Sequence, residues 1–377
     1  MFGRLDGIIG SLGAKLLLFT GAHSLERTGK KALLELALNN RGIEYSVIPV
    51  AGEPSPELVD ETVAQHRHSG IDVVCSIGGG SVIDAGKAVS AMLPCGGSVV
   101  SYLEGVGNGE KHDGTKVPFI AVPTTAGTGS EATKNAVLSR VGAEGFKKSL
   151  RHDNFVPDIV VIDPELMVFC PPDITAATGM DAFTQLLESY VSAKANPVTD
   201  ALAFCGLELA AENLIPACTE DAENVNVRAG MALAAFLSGV TLANAGLGVV
   251  HGLASSIGGL VDIPHGVVCG TLVGAATAVT IETLEKNRSQ EEVPLSKYGR
   301  IGYMLSGRPC ENGDVSGRCA LLVRKLDEWT ETLRIPRLGE YGVTPELIDP
   351  IIDLTENKYN PVPLGRDAIR RIIERRL

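Results

Sequence analysis

The sequence predicts an α/β domain built on a parallel sheet, followed by an all-α domain. In residues 1–169, short apolar runs rich in β-branched residues alternate with helical stretches, which is typical of a parallel sheet covered on both faces. After residue 169 the apolar residues recur at helical spacing. The 377 residues of the chain also exceed the roughly 250–300 that one core usually supports. We therefore expect two domains, residues 1–169 and 170–377.

The elements of the first domain follow from the same alternation. The predicted strands span residues 15–21, 45–52, 71–80, 117–125, 136–140 and 158–166. The predicted helices span residues 25–41, 56–69 and 81–93. In the second domain, "TGMDAFTQLLESYVS" (178–192) predicts a largely buried helix.

The amino-acid composition argues against several classes of function and location. A formal net charge of -12, with no basic run to offset it, argues against a nucleic-acid partner, because phosphate backbones attract basic surfaces. The eight cysteines are scattered singly, which indicates reduced thiols in a cytoplasmic protein. The N-terminus lacks the pattern of a secretion signal, and we expect no apolar segment to reach the roughly 20 uncharged residues that span a membrane. A cytoplasmic protein with no membrane partner is therefore expected.

Two glycine-containing loops are candidates for phosphate binding. "SIGGGSVIDAGKAVSAM" (76–92) sets three glycines between a buried strand and a helix, where free N–H groups and the helix dipole favour an anion. A tight turn capped by Ser81 explains this loop equally well. "VPTTAGTGSEAT" (122–133) also follows an apolar strand and offers several hydroxyls. Two such loops at the carboxyl ends of strands in one sheet predict a nucleotide crevice.

Four polar residues of the second domain are candidates for a metal site. Asp181 and Gln185 lie four residues apart, so they project from one helix face. His251 and His265 are the only histidines after residue 169. Such a set can surround a divalent cation, but spacing alone favours a hydrogen-bonded buried cluster.

The motifs resemble those of the iron-containing (group III) alcohol dehydrogenases, which share a fold with glycerol dehydrogenase and dehydroquinate synthase. The resemblance rests on "GEPSPELVD", "GGGSVIDAGKAV", "PTTAGTGSEAT", "VIDPEL", "TGMDAFTQLLESYVS", "NPVTDALA", "GLGVVHGLASSIGGLVDIPHG" and "YNPVPL". It implies a Rossmann-like dinucleotide-binding domain, a helical domain that carries the metal, and hydride transfer in the cleft between them. A homodimer is a further implication.

The resemblance also implies roles for individual residues. The positions that would bind the nicotinamide cofactor are Gly21, Gly79, Gly80, Ser81, Asp84, Thr124, Thr125, Thr128 and Lys147. The positions that would bind Fe²⁺ or Zn²⁺ are Asp181, Gln185, His251 and His265, of which Asp181, His251 and His265 would be catalytic.

The chain departs from the family pattern in three places. Gln185 stands where relatives have histidine, and an amide oxygen binds iron or zinc less well than an imidazole, so we expect weaker metal binding or a site that works without metal. Ser255 stands where many relatives have a further histidine that could relay a proton. Relatives usually have another strand before "FGRLDGIIGSLGAK", so either this strand is missing or the start of the chain is truncated, and a missing edge strand would expose sheet backbone.

Cofactor choice depends on Gly21, because relatives that prefer NAD often have an aspartate there. That carboxylate would repel the 2′-phosphate of NADP, and Gly21 removes the repulsion. His23, Arg27 and Lys30 could add positive charge nearby. The sequence therefore favours NADP over NAD.

The implied function is that of an NAD(P)-dependent alcohol dehydrogenase or aldehyde reductase, in which a metal polarises the carbonyl and the nicotinamide delivers hydride. One alternative is a metal-independent reductase in which His251 and His265 donate hydrogen bonds to the substrate. A lyase resembling dehydroquinate synthase is disfavoured, because few Lys or Arg residues lie near the predicted cleft positions after residue 152. A non-catalytic scaffold is the remaining alternative. The hydrolase motif G-x-S-x-G is absent from "TGSEA".

Overall fold

The strands form one parallel sheet and one hairpin. The structure is a computed structural model that describes residues 1–22, 24–142, 145–286, 292–307 and 314–377. Its strands are β1 (Lys15–Gly21), β2 (Glu44–Val50), β3 (Val73–Gly78), β4 (Phe119–Pro123), β5 (Asn135–Arg140), β6 (Phe146–Arg151) and β7 (Ile159–Val160). Within these residues the parallel sheet has the order β2-β1-β3-β4-β7, and β5 pairs with β6 in an antiparallel hairpin.

Helices surround the sheet and make up nearly all of the second half. Those of the first half are α1 (Leu5–Gly10), α2 (Ser24–Arg27), α3 (Lys30–Asn40), α4 (Pro56–His66) and α5 (Gly80–Met92). Those of the second half are α6 (Pro172–Val191), α7 (Pro197–Cys218), α8 (Val225–Ala245), α9 (Val249–Leu260), α10 (His265–Lys286), α11 (Glu292–Ser306), α12 (Val315–Thr332), α13 (Ile348–Leu354) and α14 (Arg366–Glu374). The predicted α/β domain followed by a helical domain is confirmed. The boundary at residue 169 stays a prediction.

Apolar side chains cover both faces of the sheet, which explains why its strands lack an alternating pattern. Leu17 and Phe19 of β1 pack into a cluster with residues of α4 and α5. Leu16 and Leu18 point to the other face and pack with residues of α1 and α3. Burial on both faces is what a parallel sheet with helical crossovers requires.

Three predicted elements differ from the structure. Residues 136–140 form a strand, but it lies in the β5–β6 hairpin outside the sheet. The strand predicted at 158–166 is only Ile159–Val160, because Asp163 accepts a hydrogen bond from the Glu165 N–H and caps a turn of 3-10 helix instead. The helix predicted at 25–41 is two helices, since Gly29 takes a left-handed φ of 67° between α2 and α3.

The expectation about apolar segments is wrong. Residues 229–261 contain no Asp, Glu, Lys or Arg. Helices Pro197–Cys218, Val225–Ala245 and His265–Lys286 are each long and apolar enough, by length and composition, to cross a membrane. In His265–Lys286, 83% of the apolar window is buried within the protein, so those side chains contact other helices.

The sheet order places a crevice at the carboxyl ends of β1 and β3. β1 pairs with β2 on one side and with β3 on the other, so the chain reverses its direction of travel across the sheet between these two strands. Open α/β sheets bind ligands at such a switch point. Gly21 ends β1 and Gly78 ends β3, directly before the first glycine loop.

Candidate active site

Asp181, His251 and His265 converge in the helical domain. Asp181 lies on α6, His251 on α9, and His265 is the first residue of α10. Asp181 Oδ1 lies 3.2 Å from His251 Nε2 and 3.8 Å from His265 Nε2. Asp181 and His251 are buried, and His265 is partly exposed. The structure therefore brings together these three of the four predicted metal positions.

Glu188, which the sequence analysis did not identify, orients His251. Its Oε2 lies 2.7 Å from His251 Nδ1, and the same carboxylate accepts hydrogen bonds from the backbone N–H groups of Gly248 and Val250 at the start of α9. A carboxylate on Nδ1 fixes the ring and turns Nε2 towards Asp181, an arrangement common around metal-binding histidines. Glu188 lies seven residues after Asp181, on the same helix face.

The surroundings of these residues set their charges. Burial would raise the pKa of Asp181, but the imidazoles of His265 and His251 hold it at about 2. Burial, reinforced by the ammonium of Lys147, lowers the pKa of His265 to about 4. For His251, burial is outweighed by Cys269, Asp181 and Glu188, so its pKa is raised well above the ordinary value. At neutral pH, Asp181 is a carboxylate and His265 is neutral, which are the forms that bind metal, whereas His251 carries a proton that metal binding would displace.

Gln185, the fourth predicted metal position, is turned towards a neighbouring helix. Its side chain is buried, and its Oε1 lies 3.0 Å from the hydroxyl of Ser238 on α8, which donates to it. The amide oxygen is the only atom of Gln185 that could bind a metal. The structure thus gives that oxygen a partner outside the metal cluster, whereas the ligand atoms of Asp181, His251 and His265 face one another.

Cys269 completes the cluster and was not predicted. It lies one turn after His265 on α10, and its Sγ is 3.6 Å from His251 Nε2 and 3.7 Å from His265 Nε2. One ligand atom from each of Asp181, His251, His265 and Cys269 lies within 4.8 Å of the others. Carboxylate, imidazole and thiol together are the donors that divalent transition metals bind in proteins, so these residues fit such an ion.

The two loops predicted to bind the cofactor contact each other. A Cβ at Gly80 would lie 2.5 Å from Thr128 Oγ1, and a Cβ at Gly79 would lie 3.2 Å from Thr125 Oγ1. Gly79 precedes α5 as its N-cap, so the first N–H groups of the helix face this junction, with Ser81 in the first turn. Gly21 lies at the end of the neighbouring strand β1. Glycine is needed at position 80 because Thr128 leaves no room for a Cβ there, and a Cβ at position 79 would make a tight contact.

Unpartnered polar atoms coincide with predicted site residues. In the described part of the chain, the buried side-chain nitrogen and oxygen atoms without a hydrogen-bond partner are Asp84 Oδ1, Thr124 Oγ1 and His265 Nδ1. Leaving such a group unsatisfied costs about 1–3 kcal/mol. Two of them lie at the cofactor loops and one at the metal cluster, where a bound ligand or water can satisfy them.

Asp84 and Lys87 hold the second loop against α5. Asp84 Oδ2 accepts a hydrogen bond of 3.0 Å from the Val137 N–H of β5, so it supports the hairpin. Lys87 Nζ donates to the carbonyl oxygens of Ser130, Thr133 and Asn135 at 2.7–3.0 Å. Burial raises the pKa of Asp84 to about 6 and lowers that of Lys87 to about 8.

Lys147 links the cofactor side of the cleft to the metal cluster. Its Nζ lies 2.9 Å from Glu53 Oε1, and it is close enough to His265 to depress that residue's pKa. Burial raises the pKa of Glu53, but Lys147 and then His265 outweigh it and lower the pKa below the ordinary value. Glu53 was not predicted, although it follows β2 and so lies at the same edge of the sheet as the glycine loops.

The remaining predicted positions are less informative. His23 lies outside the described residues. Arg27 is exposed, and Lys30 forms an ion pair of 2.6 Å with Glu165. The Ser255 hydroxyl donates to the His251 carbonyl at 2.9 Å.

The sequence of the chain is similar to those of known alcohol dehydrogenases. The sequence profile described as "Iron-containing alcohol dehydrogenase" matches residues 2–164, and that described as "Fe-containing alcohol dehydrogenase family, C-terminal" matches residues 175–377. The NAD-dependent methanol dehydrogenase of Bacillus methanolicus is 36% identical over 257 residues, 68% of this chain and 66% of the relative. The NADPH-dependent butanol dehydrogenase of Clostridium saccharobutylicum is 30% identical over 99% of this chain and 94% of the relative.

The fold agrees with these matches. The crystal structure of a 1,3-propanediol oxidoreductase superposes with a TM-score of 0.86 at 29% identity, over 100% of this chain and 96% of that one. These similarities confirm the predicted alcohol dehydrogenase and do not favour the lyase or the scaffold. The chain is an NAD(P)-dependent oxidoreductase acting on alcohols, and it belongs to the iron-containing alcohol dehydrogenase family.

Proposed function

We propose that this chain interconverts a small alcohol and its aldehyde or ketone where the metal cluster meets the cofactor loops, with Fe²⁺ or Zn²⁺ bound to Asp181, His251 and His265. The observation that carries this is the contact between the second loop and α6, the helix that carries Asp181. A Cβ at Gly127 of that loop would lie 2.7 Å from Thr178 Cβ on α6, one turn before Asp181. A substrate between loop and cluster can therefore reach both.

Different residues of the chain have separate roles in metal binding, cofactor binding and proton exchange. When bound, the metal supplies a Lewis acid for the substrate oxygen and the nicotinamide supplies or accepts hydride. Asp181 and neutral His265 provide ligand atoms, and Glu188 holds Nε2 of His251 towards them. The N–H groups at the start of α5 favour the cofactor's pyrophosphate. Because the Ser255 hydroxyl donates to a backbone carbonyl, a substrate proton would be exchanged with water rather than with this side chain.

Metal removal tests the proposal. We expect NAD(P)H oxidation with a panel of small aldehydes, followed by absorbance, to fall at least about 100-fold after thorough chelation, because the Lewis acid is lost. Adding Fe²⁺ or Zn²⁺ should restore it. Turnover that survives chelation, with no metal left by elemental analysis, would instead support the metal-independent reductase. Substrate conversion without net change in nicotinamide would support the lyase.

We also propose that NADP is preferred over NAD, since Gly21 offers no carboxylate to repel a 2′-phosphate and Arg27, six residues later in the chain, is exposed. Lys30 contributes less than expected, because it is paired with Glu165. The relatives are divided, with an NAD-dependent methanol dehydrogenase and an NADPH-dependent butanol dehydrogenase among them.

Gly21→Asp should reverse this preference. We expect the ratio of kcat/KM for NADPH to that for NADH to fall by about 10–100-fold, because the new carboxylate repels the 2′-phosphate and accepts hydrogen bonds from ribose hydroxyls. Steady-state kinetics with both cofactors measure the ratio. Gly21→Asn is the matched control, with equal size and no charge. An equal shift in both variants, or a wild type that prefers NADH, would contradict the proposal.

A cytoplasmic homodimer without nucleic-acid or membrane partners is also proposed. The net charge of -12 and the implied family assembly support it. Light scattering of the purified chain would show the oligomeric state.

A further inference from the structure

The metal cluster contains the thiol of Cys269, and the replacement of the family histidine by Gln185 raises the question of whether this thiol binds the metal instead. Cys269 is fully buried, and its Sγ faces the two imidazole nitrogens that also face Asp181. A buried cysteine is ordinarily a small core hydrophobe. Cys269 instead lies against two histidine Nε2 atoms and a carboxylate, which are polar surroundings.

The distances match those expected around one tetrahedral ion. Zn–S bonds of about 2.3 Å and Zn–N bonds of about 2.0–2.1 Å at a tetrahedral angle separate sulfur and nitrogen by about 3.6 Å. The two distances from Cys269 Sγ to the histidine nitrogens are 3.6 and 3.7 Å. A nitrogen and a carboxylate oxygen bound to the same ion at a tetrahedral angle are separated by about 3.4 Å. The distances from Asp181 Oδ1 are 3.2 and 3.8 Å, which bracket that value.

Gln185 is the weaker candidate for the fourth ligand. Its amide oxygen is a poor donor to iron or zinc, and that oxygen already accepts from Ser238. A thiolate is a strong donor to zinc, and the thiol of Cys269 lies against the two histidine nitrogens and within hydrogen-bonding reach of Asp181, all of them members of the cluster.

We propose that Cys269, rather than Gln185, is the fourth protein ligand of the metal, so that the site is Asp181–His251–His265–Cys269 and is suited to Zn²⁺. This rests on the metal dependence proposed above. Gln185 then acts as a hydrogen-bonding residue between α6 and α8. With four protein ligands, a substrate oxygen would be a fifth ligand, a coordination number that catalytic zinc can reach.

Cobalt substitution tests the ligand directly, without relying on activity. The full-length chain is stripped with a chelator and titrated with Co²⁺ in the absence of nicotinamide. Wild type should show visible d–d bands and a near-ultraviolet thiolate-to-cobalt charge-transfer band. Cys269→Ser should lose the charge-transfer band and bind Co²⁺ at least about tenfold more weakly. Cys95→Ser is the matched control, because Cys95 belongs to the other cluster of possible ligands, with His112 and Asp113, and it should keep both signals.

The outcomes distinguish the proposal that Cys269 is a metal ligand from the proposal that the reaction depends on a metal. Wild type that binds Co²⁺ without a charge-transfer band, or a Cys269→Ser protein that keeps the band, overturns the thiolate ligand and leaves metal dependence standing. No Co²⁺ binding, together with turnover that survives chelation, overturns both. Circular dichroism shows whether each variant is folded, and the spectra of wild type and Cys95→Ser together decide the question even if Cys269→Ser and Cys269→Ala both misfold.

Discussion

Asp181→Asn should lower kcat/KM for alcohol oxidation by at least about 10³-fold, or about 4 kcal/mol of transition-state stabilisation. Asp181 is the carboxylate of the cluster, and its low pKa of about 2 keeps it ionised throughout the physiological range. Asparagine has the same shape but no charge, so the site loses its anionic oxygen ligand. Metal affinity should fall at least about tenfold. Elemental analysis and steady-state kinetics on the same preparation measure both quantities.

Asp173→Asn is the control for this prediction. Asp173 lies in the first turn of the same helix, α6, and is exposed. Losing its charge should cost about 0.3–1 kcal/mol of interaction with the helix dipole and leave kcat/KM unchanged. If Asp181→Asn kept full metal content and lost less than about tenfold in kcat/KM, the metal-binding role of Asp181 would be wrong.

The polar face of α6 could be predicted from the sequence because helical spacing is local. Asp181 and Gln185 are four residues apart, and Glu188 continues the same face, so it could have been included. Cys269 could not be found in this way. Nothing near it in sequence distinguishes it from a core cysteine, and its position opposite Asp181 depends on how α10 packs against α6 and α9.

The elements of the fold also differ in whether local sequence or tertiary contacts determine them. The strands β1, β3 and β4 are apolar on both faces and were predicted because that pattern is local. Strand β6, "FKKSLR", carries charged residues, and it forms through pairing with β5, so its sequence gave little sign of it. The break at Gly29 was missed because a single glycine is tolerated in a helical pattern.

Lys87→Met should destabilise the fold by about 3–5 kcal/mol, the usual cost of removing one member of a buried charged network. Lys87 is 1% exposed, and methionine has a similar length, so the loss would come from unpaired groups rather than from a cavity. Three backbone carbonyls of residues 130–135 would lose their donor, and Asp84, 3.9 Å from Nζ, would lose its counter-charge. Denaturant unfolding followed by circular dichroism measures the change.

Lys134→Met provides the control, because Lys134 lies in the same segment but pairs with Asp153 at the surface. Its loss should cost about 0–1 kcal/mol. Lys87→Met should also raise KM for the nicotinamide cofactor, since the loop that carries Thr128 continues directly into the segment that Lys87 holds. Equal effects of the two substitutions on stability would mean that the buried ammonium is not what fixes this segment. Unchanged cofactor KM in a destabilised Lys87→Met protein would mean that the glycine and threonine loops hold their geometry without it.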